Sequence, residues 1–168
     1  MEDIFEEIHE LQRQSNHSKA IDRLLDSGAN VIRKPYACDK NHAWYLVGHS
    51  YAENGEIEKA LKAFRKSVNY WDEDPDAYWA IGECYSELER PRMAERYFSK
   101  ALPYAALRDR PLIIYNLGNS LFDQGRFEAA IDAYRKVCRS RVPGLNTVRK
   151  LAKSNIKAAH WNICNKPQ

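Results

Sequence analysis

Little in this sequence supports work on a membrane, at a metal or through a nucleophile. Its four cysteines, Cys38, Cys84, Cys138 and Cys164, stand far apart with no C-x-x-C pair. That argues against a zinc site or a disulfide framework and leaves them as small apolar side chains for the interior. No run approaches the roughly 18 apolar residues of a spanning helix. The first residues, Met1-Glu2-Asp3-Ile4-Phe5-Glu6-Glu7, are acidic where a secretory signal would be basic and then apolar. The expectation is a soluble, cytoplasmic protein without a membrane role. H-E-x-x-H, G-x-S-x-G and a Gly-rich phosphate loop are all missing, so no enzyme activity and no cofactor are expected. His42 and His49 lie seven residues apart on one helical face. A closed metal site wants about four ligands, and Glu83 is the only further candidate nearby, so no metal is expected.

What is present is an ordinary globular balance: 44% hydrophobic and 29% charged residues in 168, enough for one domain with a continuous core. Net charge is +3, but it is unevenly spread. From Ile131 onwards the charge is +8, and the preceding residues carry −5. Such asymmetry marks either an acidic or nucleic-acid partner or the outer face of a terminal helix.

A repeat dominates the middle of the chain. Trp44-x2-Val47-Gly48-x2-Tyr51 is followed by Ala60-x3-Phe64, and Tyr78-x2-Ile81-Gly82-x2-Tyr85 by Ala94-x3-Phe98 and Ala101. Ile114-x2-Leu117-Gly118-x2-Leu121 is followed in turn by Ala130-x3-Tyr134. A glycine inside a helix costs about 1 kcal/mol relative to alanine, so three in register require a close approach. Ala60, Ala94 and Ala130 are the small residues expected opposite them, with Trp44, Tyr51, Phe64, Tyr78, Tyr85, Phe98 and Tyr134 filling the space between helices. Asn54-Gly55 and Gln124-Gly125 read as turns within the first and third copies. Pro91 opens the second helix of the middle copy, and Asp74-Pro75 and Arg110-Pro111 separate the copies.

These residues resemble the tetratricopeptide-repeat (TPR) family, whose period is about 34 residues of helix–turn–helix. The resemblance implies an all-α, right-handed helical-hairpin solenoid forming a single domain over residues 1–168. It has three clear repeats at 41–74, 75–110 and 111–144, a degenerate N-terminal repeat with its connection at 1–40, and a capping helix at 145–165. In the degenerate copy Ile4, Ile8 and Leu11 share a face, Ile8 replaces the glycine, and Val31 to Lys40 reads as an irregular connection. Asn146-Thr147 is expected to cap the last helix. Its apolar stripe would run Val148, Leu151, Ala152, Ile156, Ala159 and Ile163, leaving Arg149, Lys150, Lys153 and Lys157 outside.

In that family the first helix of each repeat lines a concave groove. The matching residues here are His42, Tyr45 and His49 in the first copy, Trp79, Glu83 and Glu87 in the second, and Tyr115, Asn119, Phe122 and Asp123 in the third. One groove position is therefore aromatic three times over: Tyr45, Trp79 and Tyr115. An exposed aromatic stripe needs a cover. The acidic neighbours suit a peptide segment of another protein, with apolar anchors and basic character. The expected function is thus a non-catalytic protein-interaction module, an adaptor or chaperone-like scaffold. In size and layout it is similar to the chaperones of type III secretion translocators. The competing covers are the chain's own N-terminal segment or a second copy in a homo-oligomer. The grip on a C-terminal carboxylate used by some TPR co-chaperones is not expected, because its cationic positions hold Tyr45 and Leu112 in one frame and Phe5 and Asp76 in the other. The alternative reading is nucleic-acid or acidic-partner binding through the basic C-terminal region, where Trp161 is the only base-stacking ring.

Overall fold

A computed structural model describes residues 3–165. They form nine α-helices with a two-residue strand pair and one 3₁₀ turn. The chain divides into two compact units, Met1–Cys84 and Tyr85–Gln168.

In the first unit, α1 (Glu6–Arg13) packs on α2 (His17–Leu24), α2 on α3 (Lys40–Glu53), and α3 on α4 (Ile57–Tyr70). Phe5, Ile8, Ile21, Leu24 and Tyr36 share one core with Trp44, Leu46 and Val47. The degenerate N-terminal copy is therefore built into the same apolar cluster as the first clear repeat. Ile8, at the glycine's place, is fully buried. Gln12 fastens α1 to α3, its side-chain amide donating to the Leu46 carbonyl at 3.1 Å and to the Ser50 hydroxyl at 2.9 Å. Between α2 and α3 the sequence predicts only an irregular connection. The structure makes it a tight hairpin, β1 (Leu25–Asp26) antiparallel to β2 (Val31–Ile32), then a 3₁₀ turn at Tyr36–Cys38.

Helix α3 starts because Asp39 accepts the His42 backbone N–H at 3.0 Å, one of the donors a helix start leaves unpaired. Helix α5 (Pro75–Glu87) starts on Asp74, whose carboxylate accepts from the Asp76 and Ala77 N–H groups. The same buried Asp74 accepts from the Asn41 side chain at 3.0 Å, and Asn41 also exchanges bonds with the fully buried Ser67. Three polar residues from α3, α4 and the α5 cap thus satisfy one another inside the unit.

In the second unit, α6 (Pro91–Ala101) packs on α7 (Arg110–Asp123), α7 on α8 (Phe127–Arg139), and α8 on α9 (Asn146–Cys164). Gly55 and Gly125 hold the turns α3–α4 and α7–α8 at φ +75° and +72°, the left-handed region glycine enters freely. Where the middle repeat has no glycine, Glu89 takes that conformation at φ +53°, and Pro91 follows as the first residue of α6.

Several expectations change. The side chain that presses on Gly48, and on Gly118, is an aromatic ring rather than an alanine. A β-carbon on Gly48 would lie 2.6 Å from the Phe64 ring, and one on Gly118 would lie 2.7 Å from Tyr134. The ring four residues beyond the repeat alanine swings back over the glycine, as helical side chains lean towards their own N-terminus. Arg110 is already helical, so the pre-proline bias is overridden by the turn before it. Helix α9 is preceded by Leu145 at its cap, and neither Asn146 nor Thr147 caps it with a side chain. Leu151 is 46% exposed, because Ala152, Val148 and Ile156 already meet α8 and residue 151 turns away. Arg149 is not on the outer face: its guanidinium donates to the Ser140 carbonyl at 2.6 Å and the Val142 carbonyl at 2.8 Å, pinning the loop before α9.

Candidate functional site

The first helix of each repeat carries the residues singled out in the sequence, and each unit presents its own set. In the first unit, His42 is taken up within the chain. Its ring meets Phe5 edge-on at 4.7 Å between centroids and lies 5.6 Å from His9, both on the N-terminal copy. Burial holds its pKa below the ordinary 6.5, with His9 adding to the effect and Asp39, Asp3 and Asp74 opposing it. Tyr45 lies against Phe64 at 5.6 Å and is only partly exposed. Loss of hydration, reinforced by Asp76, Asp74 and Glu83, pushes its phenol up to about 12, so it remains a hydrogen-bond donor at neutral pH.

His49 and Trp79 share one property. His49 Nδ1 and Trp79 Nε1 are buried and have no hydrogen-bond partner among the described residues. His17 Nδ1, on α2, is in the same condition, its ring 6.4 Å from that of His49. Glu83, on the next turn of α5, is exposed.

In the second unit, Asn119, Phe122 and Asp123 are brought together with Tyr134 and Asn155 around an open cavity of about 310 Å³. Asn119 is the hub: its carbonyl oxygen accepts from Tyr134 Oη at 2.9 Å and Asn155 Nδ2 at 3.2 Å. Asn155 also donates to Tyr115 Oη at 3.3 Å. Tyr115 packs on Tyr134 at 5.8 Å and so is tied at its hydroxyl by the last helix. Burial pushes the Tyr134 phenol up to about 12. Phe122 meets Phe127 edge-on at 5.1 Å. Asp123 stands exposed at the rim, where the adjoining wall reduces its hydration and raises its pKa. Glu87, at the end of α5, is exposed.

Sequence reasoning missed Asn155 and Tyr134 as parts of this surface. A signal for Asn155 existed: it is a polar residue three positions after Ala152, on the face of α9 that buries Ala152 and Ala159 and partly buries Ile156. On the outer face, Lys150, Lys153 and Lys157 are exposed together with Leu151 and Trp161, the last at 66%. Among the described residues no group of three or more His, Cys, Asp or Glu is placed to hold a metal ion. No helix there is long and apolar enough to cross a membrane.

Two family models, both described as tetratricopeptide repeat, match residues 45–109 and 111–139. The human cell division cycle protein 16 homolog is 28% identical over 125 residues, which is 72% of this chain but 19% of that protein. The chain therefore spans under a fifth of that relative's length. Among solved structures, MamA superposes with a TM-score of 0.70 at 17% identity, covering 99% of this chain and 98% of the other. The Yersinia enterocolitica type III secretion chaperone SycD, in complex with a peptide of the translocator YopD, gives 0.66 at 14% identity over 73% of this chain and 93% of the other. Identities this low carry the fold alone.

Proposed function

Because this chain belongs to the tetratricopeptide-repeat family, we propose that it is a non-catalytic module that binds a peptide segment of a partner protein along the first helices of its repeats. The observation that supports this reading is the partly exposed pair of rings, Tyr45 and Trp79, at matching places on the first helices of neighbouring repeats. The rings of Tyr45 and Trp79 provide apolar anchoring, and Glu83 favours basic character in the ligand; Glu87 and Asp123 offer the same charge on the second unit's own first helices. SycD, similar to this chain in fold, holds a translocator peptide, and by that fold-level analogy we propose an adaptor or translocator-chaperone-like role.

The second reading is an acidic or nucleic-acid partner on α9. It is favoured by one observation, the exposure of Trp161 and Leu151 among Lys150, Lys153 and Lys157. Binding of the native partner to three variants separates the two. Trp79→Ala should weaken it about thirtyfold, since a central aromatic anchor contributes about 2 kcal/mol. Trp79→Phe keeps the ring but not the N–H and should give an intermediate loss. Lys150→Ala/Lys153→Ala/Lys157→Ala should bind as the parent does. Normal binding by Trp79→Ala with loss in the lysine variant would place the partner on α9 instead.

A further inference from the structure

Helix α2 has eight residues where α4 has fourteen and α8 thirteen. The second helix of the degenerate N-terminal copy stops at Leu24, and the chain turns into the β1–β2 hairpin instead of continuing. Beside that hairpin lies a half-open cavity of about 390 Å³, lined by none of the groove residues. Trp44 and Tyr51 of α3 give it aromatic walls, and Leu25 and Ala63 add buried apolar surface. Its rim is cationic: Lys59, Lys62, Arg65 and Lys66 all line it, and no acidic residue does.

We propose that this cavity is a second binding site, which takes a short acidic segment of a protein bearing one large apolar side chain. The apolar walls and the cationic rim are the two halves of that recognition. Lys66 Nζ stands 3.9 Å from the centre of the Trp44 ring and donates to the Asn30 carbonyl at 3.3 Å. Lys59 Nζ lies 5.4 Å from the centre of the Tyr51 ring. The ammonium groups of Lys66 and Lys59 therefore lie over the faces of Trp44 and Tyr51 that wall the cavity, where a carboxylate entering beside an apolar side chain meets them. Desolvation holds Lys66 below the ordinary lysine pKa, a penalty that an incoming carboxylate relieves.

Charge placement selects a peptide over a compact anion. Lys59, Lys62 and Lys66 recur at i, i+3 and i+7 on one face of α4, a row about 10 Å long at 1.5 Å per residue. One carboxylate or phosphate reaches only part of such a row. An extended peptide alternates its side chains between two faces at about 3.3 Å per residue, so it spans the row with an apolar residue entering the cavity and acidic residues two places to either side on the same face. Glu56 already pairs with Lys59, so Lys62 and Lys66 carry most of the attraction. The preference is opposite to that of the groove, whose acidic residues ask for a basic ligand.

The test titrates the full-length chain against a labelled synthetic peptide with a central phenylalanine flanked by Glu-Asp on each side, followed by fluorescence anisotropy. Lys62→Glu/Lys66→Glu should weaken binding about tenfold, the sum of two reversed charge pairs. Replacing the peptide's phenylalanine by serine should also weaken it about tenfold through lost apolar burial. Trp79→Ala should bind the peptide as the parent does. Because Lys66 packs on Trp44, Lys62→Glu alone and Lys66→Gln serve as milder variants, each expected to lose binding about threefold with an unchanged circular dichroism spectrum. Equal binding by all the lysine variants, or equal binding of the serine peptide, overturns the site. So does loss of binding only on charge reversal of Lys150, Lys153 and Lys157.

Discussion

At Gly118 the Tyr134 ring occupies the space of a β-carbon, 2.7 Å away, and at Gly48 the Phe64 ring does so at 2.6 Å. Alanine ordinarily gains about 1 kcal/mol over glycine inside a helix. Here the gain is outweighed, because overpacking a filled core typically costs about 1–3 kcal/mol and neither ring is free to retreat. Tyr134 is 1% exposed and holds Asn119 through its hydroxyl, and Phe64 is 2% exposed. Urea denaturation should therefore show Gly118→Ala less stable than the parent by about 1 kcal/mol, the net of the two effects. An increase in stability would mean that the repeat glycines are not there for close packing. His42 gives a second prediction at this scale. Its folded pKa lies below the unfolded 6.5, so between the two values the unfolded chain binds the extra proton. Stability must then rise with pH through that window and fall as pH drops below about 6.5. His42→Gln removes the titrating group and should flatten the slope of melting temperature against pH between about 7 and 5. An unchanged slope would assign the acid sensitivity to other groups.

At the scale of elements, α9 is a structural part of the second unit. Ala152 and Ala159 are buried, and Val148 and Ile156 pack on the cluster of Leu121, Tyr134 and Val137. A repeat stack needs such a terminal helix, because its last hairpin would otherwise expose its core. Truncation after Gly144 should lower the melting temperature and promote aggregation, read by calorimetry and light scattering. A monomer with an unchanged melting temperature would contradict the capping role. Asn155 offers a finer probe. Asn155→Ala leaves Tyr115 and Asn119 each short of one hydrogen bond and should cost about 1 kcal/mol, measured by the same denaturation. Asn155→Leu should cost more than Asn155→Ala if the cavity beside it must stay open. Equal or greater stability for Asn155→Leu would show that the space is simply unfilled core.

For the whole molecule, charge separates the two proposed sites. The chain carries −5 before Ile131 and +8 after it, yet the cationic cavity on α4 lies within the acidic part. Exposed charge pairs weaken as the screening length shortens from about 30 Å at 0.01 M salt to about 3 Å at 1 M. Binding of the acidic peptide should accordingly fall steeply with added salt. Groove binding, anchored on Tyr45 and Trp79, should fall only shallowly. Parallel titrations of the two ligands across that range check this, and matching slopes would deny the difference in mechanism.

The sequence by itself determined the repeat. Glycines and aromatics in helical register need no tertiary information to be read, since each constrains its own helix pair. The turn glycines and the helix-opening prolines are local in the same sense. Candidate residues on the first helices followed from the register alone. Only the tertiary structure decided which of those side chains the chain itself had already used. His42 lies under Phe5 and His9, Tyr115 is bonded to Asn155 from forty residues away, and Trp79 and His49 keep unpartnered nitrogens. The aromatic pressing on Gly48 and on Gly118, the inward turn of Arg149 and the outward turn of Leu151 belong to this class as well. So does the cavity beside the shortened α2, which depends on where a hairpin of residues 25–32 comes to rest against α4. Helical periodicity records which face a residue occupies, while hydrogen bonding and packing between distant segments settle what that face meets.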